Sequence, residues 1–307
     1  MPKKATILFD LSHSEMLDIF DEDFTEFLEL LKSLNLKIKT NSNKNITEKI
    51  LENIDLLILG NPIDNYFSSI EIKSIVDFVR EGGNLLLISE YGADYLQKTN
   101  LNDICGKYFG IYFQKNIVKK KVDTNHNCTS ILNIQNFYDH KITNQLRNII
   151  LAGSCSLIIN KNSEPVFYSE QSWTEIYNDS IKEWTNEEED ERRQIVAAYT
   201  KYGRGKIFAL GDIDIFTNDP NIGLKRLDNR KFITNLFDWF TEPVDKKDVI
   251  GWVLDTMGAF QAEFKKINNK INNIIETTSI LEKRISSLEE KTHQKSIKEK
   301  STEKELT

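Results

Sequence analysis

The chain has 307 residues and a formal net charge of −7, with a pI near 5.4 and a mean hydropathy of −0.43. That length holds one large α/β domain plus an appendage, or two small domains. The acidic balance argues against broad attraction to nucleic acid or anionic lipid, and no apolar run approaches the roughly 20 residues of a membrane span.

The opening MPKKATILFD passes from two lysines straight into a strand-like run. It lacks a signal-length apolar stretch and a small-residue cleavage site, so a cytoplasmic location is expected. Cys105, Cys128 and Cys155 form no Cys-x-x-Cys pair, which fits reduced thiols and neither a disulfide scaffold nor a zinc knuckle.

Thr6 to Phe9 reads as a short strand ending at Asp10, followed by the polar Ser12, His13, Ser14 and Glu15. Phe24, Phe27, Leu28, Leu30, Leu31 and Leu34 recur at helical spacing, predicting an amphipathic helix over about Asp23 to Asn35. Leu36, Ile38 and Thr40 alternate with lysines, as in an edge strand with one wet face. Thr47 can cap a helix through Asn53, and Leu56 to Leu59 is a buried strand stopped by Gly60-Asn61-Pro62. Ser69, Glu71 and Ile72 open a helix that carries Ile75, Val76 and Val79 to Gly82-Gly83.

Leu85 to Ile88 is an unbroken apolar run, suited to a strand covered on both faces. The alternation of strand and helix predicts right-handed crossovers, a mostly parallel sheet in the order 2-1-3-4, and helices on both faces. This is a Rossmann- or flavodoxin-like α/β architecture, with ligand crevices at the carboxyl ends of the strands.

Beyond Thr99 a short helix is expected to about Tyr108, then an Asn-rich middle with little pattern over about Lys119 to Asn148. Asp139 to Thr143 reads as a turn. Ile149 to Leu151, Ser156 to Ile159 and Val166 to Tyr168 read as short strands. Glu183 to Arg193 is a charged surface excursion. Ile195 to Tyr199 and Lys206 to Leu210 flank Tyr202-Gly203-Arg204-Gly205 as a hairpin. A last helix holds Phe232, Leu236, Phe237 and Phe240 and ends before Pro243.

From Val253 the pattern changes. Val253, Met257, Phe260, Phe264, Ile267, Ile271, Ile274, Thr278, Leu281, Ile285 and Leu288 are spaced alternately by four and three, and only Thr278 is polar. Such a seam predicts a coiled-coil helix about 60 Å long, supercoiled left-handedly with another helix. Leu254 and Ile275 widen the seam enough to admit a bundle of more than two helices. In a parallel dimer Arg284 would face Glu289 of the second chain.

Chemistry is less legible. In amidotransferase-like folds a nucleophilic Cys occupies the strand-to-helix turn where Glu90 stands, before Tyr91-Gly92. A carboxylate cannot perform thiolate acyl chemistry, and His13, His126, His140 and His293 supply no base after the later strand. The plainer account of Glu90 is a strand-end residue that caps a nearby amide. Asp10, His13, Glu15, Asp212, Asp214 and Asp219 could converge at one sheet edge and would suit Mg²⁺, Mn²⁺ or Zn²⁺. Their spacing matches no metal motif, so neither metal nor cofactor is expected. Walker, Rossmann and serine-elbow motifs are absent from the sequence.

The stretch IEIKSIVDFVREGGNLLLISEYGADYLQKTNLNDICGKYFGI resembles the GIFT domain, shared by gliding-motility transporter auxiliary proteins and a core intraflagellar-transport complex B subunit. The resemblance rests on Gly82-Gly83 with the helix before it, Glu90 to Gly92, Thr99 to Asn102 and Phe109-Gly110-Ile111. Gly153-Ser154, Gly205 to Ile207, Leu210-Gly211 and Asn235 to Phe240 then fall in the family's order. It covers about Ala5 to Thr241, and implies a non-catalytic α/β domain of the class I glutamine amidotransferase-like superfamily, used in protein assembly.

The expected organisation is a GIFT-like α/β domain over 1–245, a coiled-coil helix over 246–292 and a disordered charged tail over 293–307. The expected function is a non-catalytic scaffold or adaptor that self-associates or takes a helical protein partner through the seam. The alternative is a small-molecule or glycan-binding module with a crevice at Ser14, Glu90, Tyr91, Asn100 and Asp212. Neither nucleic-acid binding nor direct membrane insertion is expected.

Overall fold

The computed structural model describes residues 4–121, 128–160, 162–186, 192–242 and 246–304. The chain divides into two compact units, Met1–Asp245 and Lys246–Thr307.

The first unit opens with four strands and the helices between them: β1 (Thr6–Asp10), α1 (Thr25–Ser33), β2 (Lys37–Asn41), α2 (Glu48–Leu51), β3 (Leu56–Gly60), α3 (Ser69–Arg80) and β4 (Asn84–Ile88). These strands run parallel in the order β2-β1-β3-β4, as the strand–helix alternation predicts. The half-wet β2 is the edge strand. Helix α3 begins at Ser69, as the sequence predicts, and Ser68 is its N-cap. The Ser68 hydroxyl accepts from the Glu71 amide, while the Glu71 carboxylate accepts from Ser68 N, a reciprocal capping box.

Two short helices follow, α4 (Ala93–Gln97) and α5 (Leu101–Ile104), the second continued by a π-helical turn over Cys105–Phe109. Next come β5 (Ile111–Phe113), β6 (Asn116–Lys121), β7 (Cys128–Thr129), β8 (Ile131–Ile134), β9 (Asn136–Phe137), β10 (Ile149–Ala152) and β11 (Leu157–Ile159). The unit closes with β12 (Ser163–Asn178), β13 (Glu183–Asn186), β14 (Arg192–Tyr202), β15 (Gly205–Leu210) and α6 (Asn229–Thr241).

The main sheet is mixed, which corrects the mostly parallel expectation. Its order is β2-β1-β3-β4-β15-β14-β12-β6-β7, with β9 and β13 also on β12. Strand β15 enters parallel to β4, and from β14 onward every pairing is antiparallel. Short connections such as Tyr202 to Gly205 cannot join parallel neighbours, which need a crossover. Strand β12 is far longer than the apolar run Val166 to Tyr168 suggests. Its polar residues and register shifts between Pro165 and Ser172 break the alternation that signals a strand. Part of the charged excursion is strand β13, while residues 187–191 lie outside the described residues.

Period-two alternation sorts the central strands onto two cores. Ile7, Phe9, Ile58, Leu86 and Phe208 pack with Phe27 and Leu31 of α1 and Phe232 and Phe237 of α6. Leu8, Leu57, Leu59, Leu85, Leu87 and Ala209 pack with Ile75 and Val79 of α3 and with Leu101 and Ile104 of α5. Helices therefore cover both faces, and the continuous apolar runs of β3 and β4 follow from this two-sided burial.

The second unit is a single helix, α7 (Lys246–Lys304). It continues through 293–304, where the sequence predicts a disordered tail. The Lys, Glu and Ser residues there carry no Gly or Pro to interrupt a helix, so low apolar content alone does not end it.

Gly205 faces the Gly82-Gly83 turn closely: a Cβ there would lie 2.2 Å from the Gly83 carbonyl oxygen and 2.4 Å from that of Val79. Backbone cannot yield as a flexible side chain would. Gly205→Ala is expected to lower stability by about 2–4 kcal/mol, read as a lower urea midpoint at unchanged m value. A midpoint within experimental error of the parent would refute the packing.

Candidate functional site

The loop after β1 turns sharply at Ser14, which has a left-handed φ of 56°. The turn leaves Ser14 exposed and sends His13 and Glu15 inward on either side of it. His13 Nδ1 lies 2.6 Å from Asp10 Oδ2 and 3.9 Å from Glu15 Oε1. Its Nε2 lies 3.3 Å from Glu71 Oε1 on α3. Asp10 Oδ1 accepts from the Ser12 hydroxyl at 2.8 Å and from Asn41 Nδ2 at 2.7 Å. Glu15 Oε2 accepts from His13 N at 3.1 Å.

The imidazole ring is tilted against Phe67 with centroids 4.0 Å apart. Asn100 grips Phe67 through both its backbone groups, Oδ1 accepting from the N–H at 2.8 Å and Nδ2 donating to the carbonyl at 3.0 Å. Burial pushes the Asp10 carboxyl up, but hydrogen bonds from His13 and Glu15 outweigh it and hold Asp10 below its usual range. Burial, reinforced by Asp10, drives Glu15 up to about 9.

A second cluster lies where β4 and β15 end. Glu90 is buried, and its two oxygens accept from Tyr91 N and Ile213 N, each at 3.2 Å. Asp212 is fully buried and accepts from Ile215 N at 2.9 Å and, with its other oxygen, from Ala152 N. Burial, then the neighbouring Asp212 and Asp214, raises the Glu90 carboxyl well above the usual range. Asp212 is raised in the same way, by burial and then Asp214. Gly153, at φ +71°, lets its strand end pass this cluster, since a Cβ would lie 2.9 Å from Glu90 Oε1.

The sequence-derived crevice residues are thus divided. Glu90 and Asp212 sit together and cap loop amides. Asn100 works through Phe67 beside His13, while Ser14 and Tyr91 face solvent. The Tyr91 ring lies edge-on to Trp184, which also meets Tyr177.

Of the acids and histidine that could converge, Asp10, His13 and Glu15 do so, and they are the one metal-compatible group among the described residues. Asp214 and Asp219 lie on the other side of the division, interacting with each other near Asp212. His140 accepts from Ile142 N and caps a 3₁₀ turn. His126 and the side chain of His293 lie outside the described residues. Glu71 and Asn41 were missed as members of the first cluster. Glu71 was visible in sequence only as a capping-box residue three positions after Ser68, and Asn41 only as a strand end.

On α7, the seam residues Val253, Met257, Phe260, Phe264, Ile267, Ile271, Ile274, Leu281, Ile285 and Leu288 are all exposed. Thr278 returns its hydroxyl to the Ile274 carbonyl at 2.9 Å. Ile275 is exposed beside them, while the side chains of Leu254 and Glu289, named above, lie outside the described residues.

Residues 6–126 match the family model of the IFT52 GIFT domain. The solved "mmIFT52 N-terminal domain" aligns over 77% of this chain and 98% of its own, at 19% identity and a TM-score of 0.62. A cytoplasmic protein, STM1381 from Salmonella typhimurium LT2, aligns over 77% of this chain and 100% of its own, at 16% identity and a TM-score of 0.51. At these identities the two structures show a shared fold. No curated protein matches the chain. No helix among the described residues is long and apolar enough to cross a membrane.

The raised carboxyl of Glu90 gives the α/β unit a defined pH response. An acid raised on folding contributes stability that is full below its unfolded value, near 4.5, and is lost as pH rises toward the folded value. Thermal unfolding between pH 5 and pH 7 is expected to show Glu90→Gln with a shallower loss of stability than the parent, by up to about 1.4 kcal/mol per pH unit. Identical slopes would show that Glu90 is not held neutral by its surroundings.

Proposed function

We propose that the chain is a non-catalytic scaffold or adaptor of the intraflagellar-transport type, presenting a Rossmann-like GIFT domain and assembling through α7 as a coiled coil. The observation that carries this reading is the exposed apolar seam at heptad spacing on a long helix. An isolated helix with such a stripe in water gains by burying it against another. The period of seven matches self-association with a second copy, and a helical protein partner would satisfy the same geometry.

The site chemistry supports a non-enzymatic reading. Glu90, at the nucleophile position of amidotransferase-like folds, accepts hydrogen bonds with both oxygens, and neither described histidine bonds to it. The small-molecule alternative is weaker for a related reason. Glu90 and Asp212 already engage loop amides, and Asn100 is committed to Phe67.

Light scattering on the full chain and on a chain ended before Lys247 tests assembly. The full chain is expected to form a dimer or higher species and the shortened one a folded monomer. Ile271→Glu should weaken association tenfold or more, whereas Glu276→Gln, away from the seam, should leave it unchanged. A monomeric full chain that pairs with no helical partner, or association indifferent to Ile271, would sink the proposal.

A further inference from the structure

We propose that Asp10, His13 and Glu15 form a binding site for a divalent first-row transition cation, with Zn²⁺ the best-matched ion. The site goes beyond the scaffold reading and lies wholly within the α/β unit.

Three structural features point to it. First, the three side chains are buried, and one potential ligand atom from each lies within 4.8 Å of the others. Ligand bonds of about 2.0–2.2 Å put tetrahedral donors about 3.3–3.6 Å apart, so small side-chain rotations bring all three atoms onto one ion. Second, Glu15 Oε1 is buried and receives no hydrogen bond from any N–H or hydroxyl group; its remaining contacts are the Asp10 carboxylate and, at 3.9 Å, His13 Nδ1. A buried carboxylate oxygen without a donor is costly, and a cation in the cluster would satisfy it. Third, the only cationic partner these acids have in the described ion pairs is the imidazole. In the described ion pairs, Asp10, Glu15 and Glu71 each pair with His13 and with no Lys or Arg.

The surroundings suit ligation. Ser12 and Asn41 occupy Asp10 Oδ1 and orient the carboxylate so that Oδ2 is the atom presented to the cluster. Phe67, clamped by Asn100, fixes the plane of the imidazole. One imidazole nitrogen with two carboxylate oxygens is a donor set for Zn²⁺ or Mn²⁺, while Mg²⁺ prefers oxygen alone. Binding at Nδ1 replaces the hydrogen bond that this nitrogen now makes with Asp10 Oδ2. The proton shared there, and the one on Glu15, whose carboxyl is raised to about 9, pass to solvent as the three metal–ligand bonds form.

The test uses the full chain, stripped with chelator and then dialysed free of it. Titration with Zn²⁺ by calorimetry is expected to give one ion per chain, and Co²⁺ a visible absorption band that Zn²⁺ abolishes by displacement. Mg²⁺ should bind at least tenfold more weakly. Glu15→Gln removes the carboxylate that would ligate the ion but leaves the Asp10–His13 contact. It should cost tenfold or more in Zn²⁺ affinity, as should Asp10→Asn, with Ser14→Ala unchanged.

Circular dichroism establishes that each variant is folded. If a ligand variant does not fold, resonances of the His13 ring in the parent chain give the location, since Mn²⁺ should broaden them before those of His140. A parent chain that binds neither Zn²⁺ nor Co²⁺ stoichiometrically overturns the proposal. So does binding indifferent to Glu15→Gln, or broadening that spares His13.

Discussion

Buried main-chain amides at the carboxyl ends of the strands need acceptors, and much of this domain follows from how they get them. The chain supplies carboxylates. Glu71 takes the amides of Ile46 and Ser68, Glu90 those of Tyr91 and Ile213, Asp94 those of Leu101 and Asn102, and Asp212 those of Ala152 and Ile215. A carboxylate offers two oxygens where an amide or hydroxyl side chain offers one, so each acid can tie two separate loop positions together. The same burial disfavours the charged form, and several of these acids are correspondingly harder to ionise. Acidity at this sheet edge is therefore first a means of closing loops. The cluster at His13 differs in keeping an oxygen with no such duty.

The parallel half of the fold was legible because its signals are local and redundant. Leu56 to Leu59 and Leu85 to Ile88 read as doubly buried strands, and Gly82-Gly83 marks the stop between α3 and β4. The antiparallel half was harder to read. Strand β12 owes its length to neighbours on both edges, β14 on one and β6, β9 and β13 along the rest, and not to an apolar pattern of its own. Propensity is overridden there by pairing. The site was legible in residue types but not in grouping. Asp10, His13 and Glu15 could be named from sequence, yet Glu71 joins them only because the fold brings the first turn of α3 to the loop after β1. Asn100 was placed with Glu90, whereas the fold assigns it to Phe67.

The helical unit is the reverse case. Its seam is a property of spacing along one helix and needs no tertiary contact to be read. The α/β unit buries its large apolar side chains in two cores, while α7 holds a line of Phe, Ile and Leu in the open. The two units thus express different relations to water: one buries its apolar side chains within itself, and the other leaves a line of them exposed.

Strand β15 lies between β4 and β14, although about 120 residues of chain separate its pairing partners Ile207 and Leu85. During synthesis β4 therefore emerges long before the strand that covers its outer edge. Until then Leu85 to Ile88 present an unpaired, wholly apolar edge, the kind that recruits foreign strands. The family-matched segment ends at residue 126, so it is a unit of sequence kinship and not one of folding. Its boundary cuts between a strand and the neighbour that shields it.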